Sequence, residues 1–335
     1  MDIAKKHFLI TGGVSLIGSH LADRLLSHGA GGVVLYDNLS LNAADVVAHL
    51  ADDPRLRILR GDVLRLAPLT DAMAGIDGVF ALAALLTLPM SHDPALGLEV
   101  NITGVRNTLD AARLAGVRKI VLASSIAVYG GETELNEAST PFAHAGQSPP
   151  FVLYAASKLI GENLGRLYAS RYDLAFNAVR FATVYGERQH ARGVNALLML
   201  ESYQKLLAGQ APVILGDGSE VHDYLHAEDA AEGCIAAMTH GVSGRAYNIS
   251  TNVATSIAEI VALVTQAAGS TLAPEFRPDT RITRGASTSR LAVANDLART
   301  ELGWVPEIPI DVGIRRLLEW FKAQGNFKAQ GNFKA

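Results

Sequence analysis

The stretch that most constrains this chain is His7-Phe8-Leu9-Ile10-Thr11 running into Gly12-Gly13-Val14-Ser15-Leu16-Ile17-Gly18. A short apolar run that ends in clustered glycines and opens onto a segment of helical spacing predicts a strand, a tight turn and a closely packed helix. Glycine there permits the backbone angles and close approach that let helix N-terminal amides bind a pyrophosphate. Standing alone, such a turn serves equally well as a plain strand-to-helix connection. The next apolar run, 32–37, ends in Asp37, nineteen residues beyond Gly18, where a carboxylate can accept hydrogen bonds from an adenosine ribose. A carboxylate also repels a 2′-phosphate, and Asn38, Leu39 and Ser40 bring no arginine to welcome one. The pattern therefore favours NAD over NADP, with Gly12, Ser15, Leu16, Ile17, Gly18, Asp37 and Asn38 at the cofactor.

Further short apolar runs at 56–59, 78–84 and 118–125 alternate with helical stretches within 19–29, 41–50, 69–75 and 95–116. The runs read as buried parallel strands, and the alternation predicts an α/β fold: a doubly wound parallel sheet of the Rossmann type. Later strands are expected at 174–183 and 245–250, and the remainder mixes helices and loops. We expect an NAD-binding domain over 1–178, with return segments near 220–250, and a smaller, mainly substrate-binding domain over 179–335. A length of 335 residues accommodates both. FKAQGN occurs at 321–326 and again at 327–332, so 321–335 reads as a frayed tail with no assigned function.

Charge and cysteine usage exclude other classes. With 29 basic and 33 acidic residues the net charge is −4, which cannot neutralise a row of phosphates, so nucleic acid is not the expected partner. Cys234 is the only cysteine, which rules out an internal disulfide and thiolate zinc sites. The first residues end in glycines instead of a cleavage site, and no run of ~18 apolar residues occurs, so a cytoplasmic protein away from the membrane is expected. His144, His190, His226 and His240 have no metal spacing, and no metal is expected.

The co-linear motifs Thr11-Gly12-Gly13 with Ile17-Gly18, Asp37-Asn38-Leu39-Ser40, Gly61-Asp62-Val63, Ala83-Ala84, Asn101 to Thr108, Ser124-Ser125 to Gly130, Tyr154 to Lys158, Gly216-Asp217-Gly218-Ser219 and Glu301 to Trp304 span residues 5–320. In this order they resemble the extended short-chain dehydrogenases of the NAD-dependent epimerase/dehydratase family, most closely the UDP-glucose 4-epimerases. The resemblance implies that Asp62 and Val63 line the adenine, that Ala83 belongs to the cofactor site and that Asn101 lies near the nicotinamide ribose. The middle glycine of that pattern is Ser15 here, whose side chain would crowd the pyrophosphate or donate to it.

Tyr154 and Lys158 are four residues apart within helical spacing, so both project from one face. A phenol, with a reference pKa near 10, is a poor base at neutrality, but an adjacent ammonium and a positive nicotinamide favour the phenolate. Ser125, at the end of a predicted strand, would hold the substrate oxygen, so Ser125, Tyr154 and Lys158 are the expected catalytic residues. An isolated Tyr-x-x-x-Lys is commonly an exposed helix pair; here it follows a full dinucleotide unit. Ser124 reads as a buried hydroxyl bonded to backbone. Resembling dehydratases carry an Asp-Glu pair after the serine, decarboxylases a glutamate and 3,5-epimerases a cysteine, where this chain has Ile126 and Ala127. Oxidation of a secondary alcohol is left, reversed on the other face or released as product.

On the substrate side the resemblance places Thr87 to His92 along the sugar, with Ser91 and His92 as polar candidates. It also puts Thr183 where the relatives have a phosphate-contacting Asn, His222 where they have an Arg, and retains Arg277. Arg188, with His190 and Arg192, offers cationic donors for a phosphate or carboxylate, or forms a solvated loop. These features imply a nucleotide-sugar epimerase acting at C4 of a UDP-hexose or UDP-hexuronate. The alternatives are a dehydrogenase releasing NADH and a non-catalytic dinucleotide-binding protein. The resemblance also implies a homodimer formed by the helices within 95–115 and 154–170.

Overall fold

The computed structural model describes residues 1–41, 44–137, 146–189, 194–279 and 291–324. Seven parallel strands form its central sheet. β1 (His7–Thr11), β2 (Gly32–Asp37), β3 (Leu56–Arg60), β4 (Gly78–Ala81) and β5 (Lys119–Ser125) are joined by Ala175–Phe181 and Ala246–Ile249. The spatial order is Ala246–Ile249, Ala175–Phe181, β5, β4, β1, β2, β3. The chain thus winds outward from β1 in one direction and from β4 in the other. Their carboxyl ends flank the crevice where doubly wound sheets bind ligands.

Both faces of the sheet are covered, which is why Phe8, Leu9 and Ile10 at the centre of β1 are all apolar and buried. Phe8 and Ile10 enter one core, with Leu21 and Leu25 of the helix Leu16–Ser27 and Ala230 and Cys234 of Ala227–His240. Leu9 enters the other, with Leu69, Leu109 and Phe176. β3 departs from expectation: it is the sheet's edge, and Arg57, Ile58 and Arg60 are exposed. Periodicity cannot separate an edge strand with one covered face from a central one when both are short.

A third core, built from Tyr185, Met199, Tyr203, Tyr224, Ile260, Ile314, Leu317 and Phe321, belongs to the second half. The expected cut at 178 falls inside the strand Ala175–Phe181, which pairs with β5 along its whole length, so the first unit runs at least to Phe181. Ala246–Ile249 pairs with that strand, and the helix Ala227–His240 packs into the same core as β1. The proposed tail also begins too early. The helix Ile310–Ala323 buries Phe321 at 3% exposure, and the rest of the duplicated segment, from 325 onward, lies outside the described residues.

The helix Pro149–Arg171 starts with proline in its first turn and lies against β5 and the strand beside it. Gly165 makes that approach possible: a Cβ there would sit 2.0 Å from the Phe176 ring.

Candidate active site

The nucleotide turn is built at the β1–β4 crevice. Gly12 has φ +68°, and a Cβ on it would lie 3.0 Å from the Ala83 backbone, in the segment that follows β4. Ser15 is the N-cap of the helix Leu16–Ser27, its Oγ accepting from the Gly18 amide at 3.2 Å. Its oxygen is therefore turned back onto the helix, and the hydroxyl proton stays available to donate. Leu16 and Ile17 open a first turn that itself holds no acidic residue. Asp37 is locked beside this turn, accepting from Val14 N at 3.0 Å and Leu39 N at 2.9 Å. Asn38 is exposed, with its Oδ1 on Ser40 N. One β-strand further out, Asp62 Oδ1 accepts from Leu64 N at 2.9 Å, and buried Val63 offers its carbonyl to Asn107. Ala83 N donates to Thr11 Oγ1. A bare cradle at a helix N-terminus, with a carboxylate fixed at the end of β2, fits a dinucleotide.

Asn101 sits in a π-helical turn, Glu99–Gly104, and is buried. Its Oδ1 accepts from Leu85 N at 2.8 Å, and its Nδ2 donates to Leu85 O at 2.9 Å and to Ser157 Oγ at 3.1 Å. The side chain expected near a ribose joins the segment after β4 to the residue before Lys158. Nothing in the spacing of the segment signals the inserted residue that turns Asn101 inward.

The structure brings Ser125, Tyr154 and Lys158 together. Ser125 ends β5 and caps the short turn Ile126–Tyr129, its Oγ accepting from Ala127 N at 3.1 Å while its side chain hydrogen-bonds Tyr154. Lys158 Nζ donates to Ala123 O at 2.9 Å and lies 5.7 Å from the centre of the Tyr154 ring. Burial pushes the Tyr154 phenol up to about 12, with the Ser125 hydrogen bond pulling the other way, and burial pushes Lys158 down to about 8. In the protein alone burial therefore outweighs the Ser125 hydrogen bond. Additional positive charge over the phenol is needed to make it a base at neutrality.

Ser124 also differs from expectation. It is buried but donates to the Glu162 carboxylate at 2.6 Å, not to backbone. Glu162 and its partner Arg180 escaped sequence reasoning, although two charges inside apolar elements are a signal that something must pair them.

The substrate-side candidates are less converged. Thr87 starts the short helix Thr87–His92, in which Ser91 Oγ donates back to Leu88 O and His92 is exposed. Thr183 is half-buried in Thr183–Tyr185, paired with Tyr224. Arg188, in a left-handed conformation with φ +67°, turns toward the first helix, donating to Asp23 Oδ2 at 2.6 Å and contacting His20 Nδ1 at 3.2 Å. The expected cationic donor is thus already paired with an acid; His190 and Arg192, like His144, lie outside the described residues. His222 Nε2 is 2.9 Å from Glu220, which places a carboxylate beside the position expected to meet phosphate. Arg277 is 58% exposed and paired with Glu275 at 2.8 Å, at the rim of an open depression lined by Gly216, Asp217, Phe276 and Pro278. Among the described residues no group of three His, Cys, Asp or Glu is placed to hold a metal ion. Nor is any helix among them long and apolar enough to cross a membrane.

Glu187 and His226 face each other at 2.9 Å behind Arg188. Burial works to raise the Glu187 carboxyl, but His226 and Arg316 override it and hold it down at about 2. His20, donating from Nε2 to Glu187 O while Nδ1 faces Arg188, is pushed down to about 4 by burial and by the arginine's charge.

A doubly wound sheet with a glycine turn, an acid ending β2 and a Ser-Tyr-Lys triplet beside the crevice defines a dinucleotide-dependent enzyme of the extended short-chain dehydrogenase type. Residues 8–250 match the model of the NAD dependent epimerase/dehydratase family, and the chain belongs to that family. It is 34% identical to a UDP-glucose 4-epimerase of Mycolicibacterium smegmatis over 94% of this chain and 98% of that one. It is 31% identical to a dTDP-glucose 4,6-dehydratase of Streptomyces griseus over 94% of each. A Thermus thermophilus UDP-glucose 4-epimerase solved with NAD superposes with a TM-score of 0.80 at 29% identity, covering 94% of this chain and 99% of that one.

Proposed function

We propose that the chain is an NAD-dependent nucleotide-sugar 4-epimerase, acting on a UDP-hexose or UDP-hexuronate through a transient 4-keto sugar. The observation that carries this reading is the proton-handling face: Ser125 bonded to Tyr154, Lys158 beneath the ring, and apolar Ile126 and Ala127 in the turn that follows. That turn lacks the acid that a dehydratase needs to expel a hydroxyl, although a dehydratase is among the relatives. Gly12, Ser15, Leu16, Ile17 and Gly18 would hold the pyrophosphate, Asp37 and Asn38 the adenosine ribose, and Asp62, Val63 and Ala83 the remaining cofactor surface. Bound NAD supplies a hydride acceptor and donor and a positive ring. Tyr154 takes the proton of the C4 hydroxyl and later returns it, Ser125 holds the same oxygen, and Lys158 favours the phenolate. Thr87, Thr183, Arg188, His222 and Arg277 are the proposed substrate-side residues, the last three acting by exchanging their present acidic partners for the ligand.

The pairing of His222 with Glu220 supports a second reading, a dehydrogenase of a smaller sugar acid or alcohol that releases NADH. Incubating UDP-glucose, UDP-galactose and UDP-glucuronate with purified protein and no added NAD separates the two. Interconversion of a 4-epimer pair without NADH supports the epimerase; no change without NAD, and NADH release when NAD is supplied with a sugar acid, overturns it. We also propose a homodimer formed through the helices within 95–115 and 154–170, on which Leu96, Leu114, Ile160 and Leu167 are exposed. A sedimentation mass equal to one chain overturns that.

A further inference from the structure

Ser124 and Ser125 are neighbours with different tasks. Ser125 meets Tyr154, whereas Ser124 donates to Glu162 Oε1 at 2.6 Å. Glu162 is fully buried on the helix Pro149–Arg171, one turn beyond Lys158 and two beyond Tyr154. Its oxygens receive a fork from Arg180, Nε at 2.8 Å and Nη2 at 2.7 Å, and Arg166 reaches it from solvent at 3.3 Å. Arg180 Nη1 donates to Tyr129 OH at 2.9 Å, and that hydroxyl donates to Asn248 Oδ1 at 2.7 Å. In the sheet, Ser124 stands in register with Arg180 and Arg180 with Asn248, so the anchors lie side by side across three strands.

We propose that Glu162 is a positioning residue: it clamps the helix carrying Tyr154 and Lys158 onto the sheet at the level of Ser125, and so sets how Tyr154 meets Ser125. A buried ion pair is a poor way to gain stability, because desolvation offsets the attraction and apolar packing does as well. Directional bonds from one carboxylate to two strands instead fix both the rotation and the depth of the helix, which apolar contacts leave loose. The effect of the clamp on turnover rests on the proposed function; the clamp itself does not.

The test compares Ser124→Ala, Glu162→Gln and the charge-free pair Glu162→Leu with Arg180→Met, the last carrying the test if Glu162→Gln fails to fold. Hydrogen–deuterium exchange should quicken at 154–162 and stay unchanged in β1 and β2. The kcat for the 4-epimer pair should fall about 10- to 100-fold with KM and bound NAD within about twofold. The acid limb of the kcat profile should move to higher pH, because the Ser125 hydrogen bond that favours the phenolate is weakened. Exchange at the parent's rate, or faster exchange with kcat and the acid limb unmoved, overturns the proposal. If the parent turns over none of the sugars, the function is wrong, and quickened exchange still supports the clamp while unchanged exchange still overturns it.

Discussion

The two sides of the candidate site are built in opposite ways. On the proton-handling side the polar groups are buried and bonded to one another across separate elements: Asn101 to Leu85 and Ser157, Ser124 to Glu162, Lys158 to Ala123 O. On the substrate side two of the candidate residues pair with acids close in sequence and nearer to solvent, His222 with Glu220 and Arg277 with Glu275, while Arg188 reaches the distant Asp23. A buried polar group left unsatisfied costs about 1–3 kcal/mol, so the first side has one geometry. Exposed pairs contribute ~0–1 kcal/mol and can re-pair with a ligand at little cost, so the second side is adaptable. The difference separates a fixed arrangement of buried polar groups from an adaptable surface of exposed ones within one molecule.

The largest expected effect lies on the rigid side. Tyr154→Phe removes the proton carrier while keeping the ring, so turnover should fall by roughly three orders of magnitude with bound NAD unchanged, as followed by chromatography of the sugars. Turnover within tenfold of the parent would remove Tyr154 from the chemistry. Next, Gly165→Ala drives a methyl into the Phe176 ring and should cost about 1–3 kcal/mol in urea unfolding by shifting the helix that bears Tyr154. An unchanged midpoint would show that the helix is not pinned there.

Acid should act on the junction between the sides. His20 folds with its ring held at about 4 against 6.5 when free, so between these values the unfolded chain binds more protons and stability falls as pH drops. Glu187, held at about 2 against 4.5, contributes stability above 4.5 that is lost as pH falls toward 2. Tm should therefore decline through both windows, and His20→Gln should flatten only the upper one; an equal slope in that variant contradicts the assignment. The smallest effect belongs to the adaptable side. Arg277→Ala should raise KM less than about tenfold, leave kcat alone and change stability by no more than ~0.5 kcal/mol, since its ion pair is exposed. A large fall in kcat would mean that the substrate side is as rigid as the other.

The glycine turn, the acid at the end of β2 and the Tyr154–Lys158 pair were legible because each depends on residues close in sequence, read through helical and strand periods. The edge position of β3, the inward turn of Asn101 and the partner of Ser124 were not, because each depends on which distant segment arrives beside it. Arg188 shows the limit most plainly. Its neighbours in sequence promise a cationic loop, but a left-handed backbone angle turns it onto Asp23 of a helix far earlier in the chain.

By itself, then, the sequence determined the doubly wound sheet, the glycine turn and the helical spacing of Tyr154 and Lys158, the proposed proton-handling pair, since local spacing and alternation of apolar runs specify them. Only the tertiary structure decided which charges are already paired, how far burial moves Tyr154 and Lys158, and that Glu162 ties their helix to two strands. Those properties arise from the desolvation of groups brought together across long sequence separations, and no periodicity records that.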